Sequence, residues 1–264
     1  MQLSNKTALV TGASSGIGAS FAQLLASKGT NLILVARSID KLNQMAKTLS
    51  EQHGVQVHCI KKDLSEAGSA EALYEEVKAL KLEVDLLINN AGFGKWGKFE
   101  SFGIEEYQQM VQLNITSLTD LCYCFLPDLK EKPEAGIINV GSTASFMPIP
   151  YSAVYGATKS YVLSFTEALV GEFEDTNIKV CCLCPGGTSS NFSTVANAHN
   201  KGEKEADNLM SSGEVARLGL EAFLAGKHYV ITGRKTQIRI LKFLSRKKVI
   251  EMIAAFWRKR LHLS

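Results

Sequence analysis

The chain has 264 residues, 45% hydrophobic and 21% charged, with 29 basic against 26 acidic side chains for a net charge of +3. That balance is ordinary for a soluble globular protein, and the length suits one α/β domain with a substantial core. No apolar run reaches membrane-spanning length, Met1–Lys6 opens no signal-peptide core, and no His/Cys cluster has metal-ligand spacing; six cysteines, several within apolar strand or helix patterns, point to a reducing, cytoplasmic setting.

The first expected element is a buried strand over 6–11. It runs into Thr11-Gly12-Ala13-Ser14-Ser15-Gly16-Ile17-Gly18 and then a helix over 16–28 with apolar Phe21, Leu24 and Leu25. Glycines in such a turn let backbone approach a pyrophosphate, and the helix start offers unpaired N–H groups at its positive end. Gly12, Ser14, Ser15, Gly16, Ile17 and Gly18 are therefore candidate dinucleotide contacts. The Gly-x-x-x-Gly-x-Gly spacing also fits an ordinary strand–helix turn.

A second strand over 30–36 ends at Ala36-Arg37. An acid there would accept bonds from ribose hydroxyls and repel a 2′-phosphate, whereas a guanidinium suits a phosphate dianion. Arg37 thus favours NADP(H) over NAD(H); the plainer alternative is a solvated surface arginine. A helix over 38–52 and a strand over 55–60 lead to Asp63, which is either a ligand contact or the N-cap of the next helix, 67–80.

A strand over 84–89 ends in Asn89-Asn90-Ala91-Gly92, and a helix over 104–126 carries Asn114. The strand over 136–141 delivers Ser142, and the helix over 152–174 carries Tyr155 and Lys159. A phenol and an ammonium four residues apart share one helix face. The positive charge should favour phenolate and draw the phenol down from its usual value of about 10. A strand over 178–184 reaches Pro185-Gly186, and a helix over 213–225 precedes a last strand over 228–232. Alternating strands and helices predict a parallel sheet with helices on both faces, its ligands beyond the strand carboxyl ends. Gly12, Asn89, Ser142 and Pro185 all follow strands, so they should meet at one edge.

Together these motifs resemble the short-chain dehydrogenase/reductase family: Thr11-Gly12-x-x-x-Gly16-x-Gly18, Asp63, Asn89-Asn90-Ala91-Gly92, Asn114, Ser142, Tyr155-x-x-x-Lys159 and Pro185-Gly186. The resemblance covers residues 4 to 232 and implies one Rossmann-type, doubly wound parallel sheet of about seven strands. It implies an oxidoreductase interconverting a carbonyl and a secondary alcohol. Tyr155 would be the acid/base, Ser142 would position the carbonyl oxygen, Lys159 would serve both the phenol and the nicotinamide ribose, and Asn114 would hold a water. It adds Asp63, Leu64, Asn90, Ala91, Gly92, Pro185, Gly186 and Thr188 to the cofactor contacts, notes Ser190 where relatives often have threonine, and implies a homodimer or homotetramer. NADP-preferring relatives often carry a base in the Gly-rich turn, where this chain has Ser15. A non-catalytic sensor or scaffold of the same fold is the alternative, although it would not need the full set of Asn114, Ser142, Tyr155 and Lys159.

Two apolar stretches, Phe93-Gly-Lys-Trp96 and Ser145–Tyr151, should border the substrate site and favour an apolar carbonyl or alcohol; loop-anchoring core residues would read the same way. Residues 189–212 are polar and aperiodic, as a lid would be. The chain divides into 1–234, the nucleotide-binding catalytic unit, and a C-terminal extension, 235–264. That extension holds nine Lys/Arg against the single acid Glu251, a balance of +8, which leaves −5 for the rest. Leu241, Leu244, Val249, Ile253, Phe256 and Trp257 recur there at near-helical spacing. One or two helices are expected, packed on the core or a second subunit in preference to a membrane surface. No nucleic-acid motif accompanies the charge.

Overall fold

Strand residues that are apolar on both faces must be covered on both, and the chain does this throughout. The structure, a computed structural model, describes residues 1–189, 209–233, 235–241 and 243–263. In order it runs β1 (Thr7–Thr11), α1 (Gly16–Ala26), β2 (Asn31–Ala36), α2 (Ile39–His53), β3 (Val57–Lys61), α3 (Ser69–Ala79) and β4 (Leu86–Asn89). Then come α4 (Ile104–Val111), α5 (Ser117–Lys130), β5 (Ala135–Val140), α6 (Ala153–Glu172) and β6 (Ile178–Pro185). A small ribbon, β7 (Thr188–Ser189) with β8 (Met210–Ser211), precedes α7 (Ser212–Leu224) and β9 (Tyr229–Thr232). Two helices close the chain, α8 (Lys235–Leu241) and α9 (Arg246–Arg260).

The main sheet has seven strands in the order β3-β2-β1-β4-β5-β6-β9, every pair parallel. Strand alternation sorts its side chains into two cores. Ala8, Val10, Leu32 and Leu34 face α1 and α7, against Phe21, Leu25, Leu220 and Phe223. Leu9, Ile33, Val35 and Leu87 face α3, α5 and α6, against Leu73, Phe125 and Val162. This is the expected doubly wound sheet. Strand order reverses between β1 and β4, so the loops after those strands diverge and open a crevice at the carboxyl edge.

One expected element is corrected. The helix predicted over 104–126 is broken: α4 ends at Val111, a π-helical turn spans Gln112–Thr116, and α5 continues to Lys130. The extra residue in the turn carries Asn114 inward, where its amide is tied to another loop. In the extension, Ile238 and Val249 are buried, while Phe243 stays 91% exposed and Ile240, Ile250 and Phe256 are also exposed. Apolar burial there is therefore partial. The expected lid falls mostly on 190–208, with Ser190, outside the described residues.

Candidate active site

The β1–α1 turn is built for close backbone approach. Gly12 and Gly16 adopt φ of 64° and 56°, the left-handed region that favours glycine. A Cβ on Gly18 would lie 2.4 Å from the Gly12 carbonyl oxygen, and one on Gly12 would lie 2.9 Å from Asn90 Nδ2. Thr11 and Asn90 hold this turn to the end of β4. The amides of Asn90 and Ala91 donate to Thr11 Oγ1 at 2.9 and 3.0 Å, and Asn90 Nδ2 donates to the Thr11 carbonyl at 2.9 Å. Ser15 stands at the N-cap of α1 without a capping side-chain bond, and the first turn holds no acid. Backbone donors at the start of α1 are thus left for a ligand. A tight glycine cradle at an uncapped helix start fits the pyrophosphate of a dinucleotide. Ser14 and Ile17 are half-buried in the same turn.

Arg37 and Asp63 face each other across the ends of β2 and β3, with Nη1 3.7 Å from Oδ2. Asp63 is not the cap of α3, which starts at Ser69 behind Gly68. Its Oδ1 instead accepts from the Ser65 amide at 3.0 Å and the Ser65 hydroxyl at 2.6 Å. Burial would raise this carboxyl, but the Ser65 bonds and the Arg37 guanidinium outweigh it and hold it below its usual value. The Arg37 side chain remains 74% exposed. Leu64 is buried, and its carbonyl accepts from Ser117 Oγ at 2.6 Å.

The four predicted catalytic side chains come together around the ends of β4 and β5. Ser142 caps a 3-10 turn, Thr143–Phe146, its hydroxyl accepting from the Ala144 amide at 3.1 Å, which leaves its own proton on the side of Tyr155. Tyr155 and Lys159, on α6, are both buried, 7% and 5% exposed. Lys159 Nζ donates to the Val140 carbonyl at 2.7 Å and lies 5.9 Å from the centre of the Tyr155 ring. Asn114 accepts from the Phe93 amide at 3.1 Å, and its Nδ2 donates to the Phe93 carbonyl at 2.9 Å and to Thr158 Oγ1 at 3.1 Å. Gly92 leaves room for this meeting: a Cβ there would lie 3.0 Å from Asn114 Oδ1 and 3.4 Å from Lys159 Nζ. At the end of β6, the Gly186 amide donates to the Thr232 carbonyl at 2.8 Å, and Thr188 Oγ1 to the Gly186 carbonyl at 3.0 Å.

The expected electrostatics of the pair need correcting. Lys159 does not draw the phenol down; burial pushes Tyr155 up to about 12, opposed by a hydrogen bond with Ser142. Burial also lowers Lys159 to about 8, against the influence of the Cys182 and Cys184 thiols. Both groups share one water-poor site, where desolvation of each charged form exceeds their mutual attraction.

Other participants carried no motif. Trp96 packs on Tyr155 with ring centroids 5.0 Å apart, and Trp257 of α9 packs on Trp96 at 5.5 Å. Phe93, Tyr107, Ile149 and Val154 complete an apolar cluster around Tyr155. The apolar letters after β4 and before α6 hinted at this wall; nothing in the tail pointed to this site.

Residues 6–201 match the model of the short chain dehydrogenases, and the chain belongs to that family. It is an oxidoreductase working between an alcohol and a carbonyl with a nicotinamide nucleotide. A 7β-hydroxysteroid dehydrogenase of Clostridium sardiniense is 32% identical over 180 residues, 68% of this chain and 68% of that protein. The structure of a short-chain dehydrogenase from Sphingobium yanoikuyae in complex with NADPH superposes with a TM-score of 0.79 at 28% identity, covering 91% of this chain and 96% of that one. A 3-ketoacyl-(acyl-carrier-protein) reductase from Brucella melitensis, complexed with NADH, gives 0.76 at 26% identity over 88% and 98%.

Proposed function

We propose that this chain reduces, or forms by oxidation, an apolar ketone with NADP(H), and that Tyr155 is its acid/base. The observation that carries this reading is the convergence of Ser142, Tyr155, Lys159 and Asn114 in one buried cluster beside the glycine cradle. In the reductive direction Tyr155 gives its proton to the carbonyl oxygen as negative charge builds there, and Ser142 Oγ donates to the same oxygen and fixes its position. A phenol held at about 12 is fully protonated at neutral pH, as a proton donor must be. Lys159 would bond the nicotinamide ribose, and Asn114 anchors the loop between β4 and α4 that closes this side of the site. When bound, the nicotinamide supplies the hydride. Gly12, Ser14, Ser15, Gly16, Ile17, Gly18, Asn90, Ala91 and Gly92 would hold the dinucleotide, with Asp63 and Leu64 at the adenine end and Pro185, Gly186 and Thr188 at the nicotinamide end.

The NADP(H) preference rests on the guanidinium of Arg37 at the end of β2, still 74% exposed although its Nη1 lies 3.7 Å from Asp63. The apolar substrate rests on the aromatic and aliphatic wall around Tyr155. Free cysteines at all six positions support a cytoplasmic enzyme, and exposed Tyr123 and Tyr161 on α5 and α6 support a homo-oligomer. Among the described residues no helix is long and apolar enough to cross a membrane.

A panel of ketones and aldehydes followed by cofactor absorbance tests the reading. Tyr155→Phe should lower the rate by about 10²–10⁴-fold while cofactor affinity holds, and Arg37→Ala should weaken NADPH far more than NADH. A near-normal rate in Tyr155→Phe would refute the assignment, and equal wild-type affinities would end the NADP(H) preference. A folded, cofactor-binding chain that turns over nothing would restore the sensor alternative.

A further inference from the structure

The chain contains two tryptophans, and they meet. Trp257 lies on α9, and through the single intervening ring of Trp96 it reaches Tyr155, with centroid separations of 5.5 and 5.0 Å. The stack is pinned from the far side, since a Cβ on Gly94 would lie 2.8 Å from both the Trp96 and the Tyr155 rings. A second tie runs beside it. Arg258 Nε donates to the Tyr151 hydroxyl at 3.2 Å, and Tyr151 is held at φ 64°, which a bulky residue keeps only where its neighbours enforce it. The Gly97 amide donates to the Tyr151 carbonyl at 2.9 Å, and Ser152 Oγ to the Lys95 carbonyl at 2.8 Å. The two loops beside Tyr155 are thereby joined to each other and to α9. On the outside, the Arg260 guanidinium sits 5.4 Å over the Trp257 ring. A cleft reaching Tyr155 from between these loops encloses about 20 Å³, room for a water but for no ketone.

We propose that α9 is the outer wall of the carbonyl site and that Trp257, acting through Trp96, determines which substrates enter. A bulky carbonyl substituent on this side of Tyr155 meets the Trp96 ring, and Trp257 packs on Trp96 from α9 and holds it there. The largest ketone accepted is therefore set from the C-terminal helix, 102 residues beyond Tyr155. The ligand class that fits is apolar and ring-bearing, because such a group replaces the ring contacts it displaces, whereas a polar one leaves them empty. This rests on the carbonyl-reductase reading of Tyr155.

The test uses the full chain with NADPH, cyclohexanone as the small ketone and benzophenone as the bulky one. Trp257→Ala should raise kcat/KM for benzophenone relative to cyclohexanone at least tenfold, and Trp257→Phe should keep the wild-type ratio within about threefold. A merely structural role would lower both substrates in parallel; an unchanged ratio in a Trp257→Ala protein that still binds NADPH would overturn the proposal. If Trp257→Ala does not fold, Arg258→Ala, which releases Tyr151 but keeps the ring, should move the ratio in the same direction by at least threefold, and no movement overturns the proposal. A readout without turnover uses the tryptophan pair, which should give a coupled far-ultraviolet circular dichroism signal. Benzophenone added to the NADP⁺-loaded wild type should abolish it, and persistence at saturation counts against the gate. Should neither ketone nor any member of the wider panel turn over, the carbonyl reading itself fails, and the dichroism titration still decides whether ring ligands part the two tryptophans.

Discussion

Lys159 carries a positive charge into a site where charge is costly. Burial lowers it to about 8, although its ammonium donates to the Val140 carbonyl at 2.7 Å. Its folded value lies below the unfolded one of about 10.4, so between these the unfolded chain binds more protons and stability rises with pH. Below pH 8 both states are charged and the whole penalty stands. Lys159→Met should therefore be more stable than wild type at pH 7, by about 3 kcal/mol before the lost bond to Val140 is counted. That advantage should shrink as pH climbs from 8 towards 10. Tyr155, pushed up to about 12, acts in the opposite sense only above pH 10, so the window is clear of it. Urea denaturation of both proteins at pH 7 and pH 9.5 checks this, and parallel pH profiles would contradict it. The spacing of Tyr155 and Lys159 made the pair legible in sequence; the sign of their pKa shifts was not, because desolvation depends on what covers them.

The segment from α4 to α5 shows how one side chain reshapes an element. Hydrophobic periodicity reads one helix over 104–126, since a π-helical turn adds a residue without breaking the apolar pattern on either side. What the pattern misses is that Asn114 is bonded to both backbone groups of Phe93 and to Thr158. Turning its amide inward requires the wider turn. Asn114→Ala would strand the Phe93 amide and carbonyl, while Thr158 Oγ1 keeps its bond to the Tyr155 carbonyl, at roughly 1–3 kcal/mol for each group that water cannot reach. We expect a loss of about 2–4 kcal/mol together with weakened cofactor binding, because the Ala91–Phe93 loop would loosen. Thermal denaturation and NADPH titration measure the two effects, and an unaltered midpoint would show that Asn114 is not the tether described here. The glycine turn behaved differently. Its strand, glycine spacing and helix are contiguous, so local sequence already contained the geometry.

For the molecule as a whole, the extension matters most. Removing everything after Gly233 would expose Trp96 and strip away buried Ile238 and Val249 and the Trp257 ring. At about 25 cal/mol per Å² of apolar surface, the loss should be about 2–4 kcal/mol, or roughly 4–16 °C in midpoint for a chain of this size. A truncated protein with the wild-type midpoint would show that α8 and α9 rest on the core without stabilising it. By itself the sequence determined the strand–helix alternation, the parallel doubly wound sheet, the glycine turn and the residues gathered at its carboxyl edge. These follow from short-range periodicity and from motifs lying at strand ends, where topology leaves one edge for them to share. Only the tertiary structure decided that Arg37 faces Asp63, that burial and not Lys159 governs the Tyr155 phenol, and that the basic tail packs against the Trp96 ring. Each of those depends on contacts between segments far apart in the chain, here Trp257 with Trp96, which no local pattern encodes.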